Sequence, residues 1–82
     1  MKAKEMFEKL GYEIDEENDL EILYKMKWEI SSTYWVAFDK TKKTFSGFRT
    51  SDSPFSPTEA FKITVDELNA INKQIEELGW NK

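Results

Sequence analysis

Cysteine and histidine are both missing from this chain of 82 residues. Without cysteine there is no disulfide, no thiolate metal ligand and no thiol nucleophile. Without histidine there is no ordinary general base for neutral pH, and the commonest transition-metal ligand is gone as well. Small secreted domains often rely on disulfides, so their absence points toward the cytosol. The two prolines both fall within residues 51–57, and only three glycines are spread over the chain. Long apolar runs are missing too. The longest, residues 34–38, is far short of the roughly 20 residues that cross a bilayer. The N-terminus alternates lysine with glutamate and has no apolar h-region, so no secretory signal is expected. These exclusions lead to the expectation of one soluble cytoplasmic domain spanning residues 1–82, with no membrane partner.

Aromatic residues are what the chain does have: six Phe, three Trp and three Tyr. A chain this small must place most of its apolar side chains in a single core, and large rings bury much area each. Net charge is −4, unevenly spread. Residues 13–21 hold six acids and no base, whereas Lys40, Lys42, Lys43 and Arg49 form a smaller basic zone. A mildly acidic whole argues against a general nucleic-acid binder but leaves room for a local basic patch.

The clearest local signals lie near the C-terminus. Thr64 followed by Glu67 is a capping box, in which each side chain meets a backbone N–H left open by the first helical turn. Val65, Leu68, Ile71, Ile75 and Leu78 recur at helical spacing and predict one apolar stripe. Gly79 then stands where a left-handed residue ends a helix, with Trp80 placed to fold back on Ile75. A helix over Val65–Leu78 follows. Ala3, Met6, Phe7 and Leu10 predict a shorter helix at the other end. Its stop repeats the same device, Glu-Lys-Leu-Gly-Tyr at 8–12 against Glu-Glu-Leu-Gly-Trp at 76–80.

Between the helices, residues 13–19 read as an acidic loop. Leu20, Ile22, Tyr24, Met26 and Trp28 alternate with Glu21, Leu23, Lys25 and Lys27 and predict a strand. Residues 30–39, rich in β-branched and aromatic side chains, predict a second, with Tyr34, Val36 and Phe38 on one face. A polar hairpin at 39–43 leads to a third strand over 44–50. Strict alternation puts Phe45 and Phe48 on opposite faces, whereas a bulge at Ser46-Gly47 would bring them together. Residues 50–57 read as an exposed loop. Phe61 and Ile63 suggest a short fourth strand at 60–63, against a competing helix start at Pro57. The predicted class is α+β, in the order α-β-β-β-(β)-α. It is an antiparallel meander of three to four strands with the N- and C-terminal helices packed on one face.

The segments at 3–12 and 71–80, together with the strands between them, resemble small uncharacterised proteins encoded by phages and prophages of Gram-positive bacteria. The matching positions are helix caps and core residues over nearly the whole chain, and the loop at 51–57 is longer than in that group. The resemblance implies an accessory protein of the bacterial host cytoplasm and brings no catalytic residues with it.

Asp15, Glu17, Asp19 and Glu21 alternate like the early ligands of a calcium loop, but the sixth and twelfth positions would then be Leu20 and Met26 rather than Gly and an acid. The acidic run is therefore read as solvated, with no metal. No nucleophile motif, phosphate cradle or paired acid site is present, so neither an enzyme nor a cofactor is expected. The remaining candidate is the sheet face turned away from the helices, carrying Leu23, Trp35, Ala37 and Phe48 beside Lys25, Lys27 and Arg49. Cover by the first helix or by the 51–57 loop, or the reverse register, would make that face ordinary core. Left open, it predicts a protein-interaction surface, first for a homodimer, with strand addition at an edge as a second route. The alternative function is single-stranded nucleic-acid binding, with Trp35 and Phe48 stacking bases beside Lys42, Lys43 and Arg49.

Overall fold

A computed structural model describes residues 1–29, 32–51 and 63–80. The elements run α1 (Ala3–Lys9), β1 (Glu13–Glu17), β2 (Glu21–Glu29), β3 (Ser32–Asp39), β4 (Thr44–Ser51) and α2 (Val65–Leu78). The four strands form one antiparallel sheet in the order β1-β2-β3-β4. This is the predicted α+β meander between two helices, with a further strand ahead of the first one expected. Residues 13–17, expected to be loop, are β1, a five-residue edge strand. Charged residues suit an edge, where one strand border faces water, and Lys25 bridges to Asp15 at 3.0 Å and to Glu13 at 3.9 Å. The Asp15 hydrogen bond is the first cause of a raised Lys25 pKa. The strand suggested at 60–63 and the loop at 51–57 lie outside the described residues, apart from Ser51, which ends β4, and Ile63, which is in no strand. The orientation of Trp28 lies outside them as well.

Facing residues of an antiparallel pair share a sheet face, so the register sorts the side chains. Ile22, Phe38 and Phe45 make one row on the helix side, and Tyr24, Val36 and Gly47 the next. The core joins that side of β2 and β3 to both helices through Phe7, Tyr12, Ile22, Tyr24, Val36, Phe38, Ala70 and Ile71. Phe7 stacks on Tyr24 with ring centroids 4.0 Å apart and meets Phe38 edge-on. Leu20, grouped in the sequence with these inward residues, instead precedes β2 and is exposed. Asn18 explains that turn. Its Oδ1 accepts from the N–H of Leu20 and of Glu21, which closes β1 onto β2 with Leu20 outside the ladder.

Both helices end by the same geometry. Gly11 has φ +99° and Gly79 φ +73°. The N–H of Tyr12 donates to the Phe7 carbonyl at 2.9 Å, and that of Trp80 to the Ile75 carbonyl at 3.1 Å. These are paired Schellman stops, each with an aromatic residue folded back over its helix. The starts differ. Thr64 and Glu67 complete the capping box of α2, whereas Lys2 supplies no side-chain cap to α1.

The buried side of α2 is not the predicted stripe. Ile71 is fully buried, and Ile75 and Leu78 pack against the core, but Val65 and Leu68 are exposed. Glu67, Ala70 and Gln74 occupy the covered side with Ile71. The reason is chemical. Two tyrosines of the core need partners for their hydroxyls, since a buried unpaired polar group is costly. Tyr12 donates to Glu67 Oε2 at 2.5 Å, and Tyr24 donates to Gln74 Oε1 at 2.7 Å. Burial is the main cause that pushes both hydroxyls well above the usual tyrosine pKa, with the Glu67 hydrogen bond next for Tyr12. Both remain neutral donors at any ordinary pH.

Candidate interaction face

The opposite side of the sheet is built from the odd-numbered residues of β2 and β3 and the even-numbered residues of β4. Its rows are Leu23-Ala37-Ser46, Lys25-Trp35-Phe48 and Lys27-Thr33-Thr50. β4 pairs with β3 without a register shift, so Phe45 and Phe48 lie on opposite faces. Of the two readings left by the sequence, strict alternation is the observed one.

Of the five residues singled out for this face, Leu23, Trp35, Ala37 and Phe48 are brought together and Arg49 is not. Arg49 stands opposite Tyr34, on the side of the helices. An odd step from Phe48 on a regular strand has no other outcome. The correction reaches the nucleic-acid reading as well, since its set is dispersed. Lys42 and Lys43 belong to the β3–β4 hairpin, about five residues and therefore roughly 17 Å along the sheet from the Trp35 row. Lys40 is engaged there too, its ammonium donating to the Asn18 carbonyl at 2.7 Å.

The centre of the face is a stack. Trp35 and Phe48 lie nearly parallel, 13° between planes, with centroids 6.2 Å apart. The indole Nε1–H donates to Thr50 Oγ1 at 2.8 Å, which fixes the ring across β4. Thr50 was missed in the sequence, although a regular strand places it two residues beyond Phe48 on the same face. Leu23, Lys25, Trp35, Ala37, Phe48 and Thr50 are all half-buried. The acids of β1 hold Lys25 at one margin, so the face runs from an ionic border at β1 to an aromatic and hydroxyl-bearing field at β3 and β4. Both helices pack on the other side, and among the described residues no element lies over this one.

The polar groups of this face are the indole of Trp35, the hydroxyls of Thr33, Ser46 and Thr50, and the ammonium groups of Lys27 and of Lys25, the latter bridged to Asp15 and Glu13. Among the described residues no group of three or more acids could hold a metal ion, and no helix is long and apolar enough to cross a membrane. No family model, no curated protein and no solved structure matches the chain.

Proposed function

We propose that this chain is a non-enzymatic accessory protein, of phage or prophage origin, that works in the bacterial cytoplasm by contact with other protein, first with a second copy of itself. The observation that carries the reading is the half-buried Trp35–Phe48 stack at the centre of a sheet face over which no described element lies. Exposed apolar surface signifies when it is contiguous, and Leu23, Ala37, Trp35 and Phe48 are neighbours across three strands. Aromatic residues are favoured anchors of protein contacts because they bury large area with few rotors.

Sedimentation equilibrium over a wide concentration range tests it. The wild type is expected to pass from monomer to dimer, and Trp35→Ala, which removes the larger ring of the stack, to shift the midpoint upward by roughly tenfold or more. A monomer in both proteins at millimolar concentration would remove self-association from the reading.

A further inference from the structure

The sheet has two edges, and they are built differently. β1 is five residues long, four of them acidic, and its register slips between Ile14 and Glu16. Short length, like charge and a bulge are the devices that keep a strand edge from pairing with another chain. β4 has none of them. It runs eight residues, Thr-Phe-Ser-Gly-Phe-Arg-Thr-Ser, with one charge, no proline and no register shift. Among the described residues it is the last strand of the sheet, so one border of its main chain faces away from β3.

We infer that a second copy of this chain docks along β4, strand to strand and antiparallel, so that two four-stranded sheets become one of eight strands. The inference rests on the self-association proposed above and specifies where it occurs. A β1-to-β4 contact would be head-to-tail and would propagate without closing; the charge and bulge of β1 oppose it. Pairing β4 with β4 is isologous and closes at two copies.

Geometry narrows the register. Facing residues share a sheet face, so in a twofold pair their numbers must sum to an even number. Only two such registers keep seven of the eight β4 residues paired, one centred on Gly47 and one on Phe48. The Phe48-centred register sets Phe48 against its copy, Ser46 against the second Thr50 and Gly47 against the second Arg49. It extends the stacked row without a gap, from Trp35 through both Phe48 rings to the second Trp35. The Gly47-centred register has no side chain at its axis. We therefore assign the axis to Phe48.

Main-chain hydrogen bonding, rather than area, favours the edge over simple stacking of faces. Four strands of five to nine residues present about 500 Å² of flat surface, and two such faces together only reach the lower bound of a specific interface. Edge pairing adds about six to eight main-chain hydrogen bonds. It also joins the two outer faces into one surface of double width.

Amide hydrogen exchange of the wild type at rising concentration is the test, read beside sedimentation. Alternate amides of residues 44–51, those turned away from β3, are expected to gain protection. Above the dissociation constant the monomer fraction falls as the square root of concentration, so about a hundredfold rise should slow their exchange about tenfold. The cysteine-free sequence allows a second readout in single-cysteine variants. Phe48→Cys should form a disulfide dimer under mild oxidation, because facing Cα atoms lie within disulfide range, while Leu23→Cys, two strands inward, should not. A sedimenting dimer whose β4 amides stay unprotected overturns the edge assignment and leaves self-association standing. Cross-linking through Leu23→Cys in preference to Phe48→Cys also overturns it, in favour of stacked faces. A wild type that stays monomeric at every concentration overturns both proposals.

Discussion

The two helices end alike and begin differently. Gly11-Tyr12 and Gly79-Trp80 close α1 and α2 with the same left-handed residue and the same backward hydrogen bond. At the start, α2 caps itself through Thr64 and Glu67, while the N–H of Ala3 in α1 donates to Glu77 Oε2 of α2 at 2.7 Å. The seven residues of α1 are too few to persist alone in water. One helix is thus specified by its own residues and the other by what it docks on. The same dependence recurs at Tyr12, the stop residue of α1, whose hydroxyl ends on Glu67 of α2. Glu67 serves both helices at once, with Oε1 on the Thr64 N–H and Oε2 on Tyr12.

Four experiments press on that contrast. The largest effect is expected from Phe7→Ala. Phe7 is fully buried between Tyr12, Tyr24 and Phe38, and large-to-small changes at such sites cost about 3–5 kcal/mol. Denaturant unfolding should show that loss, and exchange should show α1 opening before α2.

Next come the two stops. Alanine at either glycine must adopt positive φ, at about 1 kcal/mol. At Gly79 a Cβ would meet nothing within 4 Å, but at Gly11 it would lie 3.1 Å from Met26 Sδ, with φ further from the left-handed well. Gly11→Ala should therefore cost about twice as much as Gly79→Ala. Equal losses would mean that α1 is not seated against β2 as described.

The tyrosines supply a pH dependence. Burial raises both hydroxyls above the ordinary value of 10.0. A raised folded-state pKa gives stability that is complete below the unfolded value and lost as pH climbs beyond it. Stability should therefore be insensitive to these groups up to about pH 10, then fall by about 1.4 kcal/mol per pH unit for each tyrosine. Tyr12→Phe should remove one of those two contributions and leave that of Tyr24. An unchanged alkaline slope in that variant would show that Tyr12 ionises as freely folded as unfolded.

The smallest effects separate the helix starts. Thr64→Ala should cost about 1 kcal/mol and fray the first turn of α2. Glu77→Ala should cost a similar or smaller amount and fray α1 instead, although Glu77 lies in α2. Hydrogen exchange resolved by residue distinguishes the two. Fraying of α2 in both variants would end the view that α1 takes its cap from its neighbour.

The same contrast describes what could be read beforehand. The bounds of α2, the stops of both helices and the alternation of β2 and β3 were legible, because each rests on residues within one turn or one strand. β1 was hidden by its acids. Glu13, Asp15, Glu16 and Glu17 resemble a solvated loop until Lys25 is known to lie across from them. The face of α2 was misjudged for a related reason, since apolar spacing favoured Val65 and Leu68 over Glu67 and Gln74. Of the candidate face, four residues were placed together correctly. Arg49 would have been excluded by trusting strict alternation through Ser46-Gly47.

By itself the sequence determined where α2 starts, where both helices stop and which residues of β2 and β3 share a side, since capping and alternation act over a few residues. Tertiary structure alone decided that two polar side chains of α2 turn inward, because the hydroxyls they satisfy come from Tyr12 and Tyr24, 55 and 50 residues away. It also decided that an acidic stretch becomes an edge strand, with Lys25 of β2 bridged to Asp15. Hydrogen-bond complementarity across the fold outweighs local hydropathy there, and no window of neighbouring residues contains both partners.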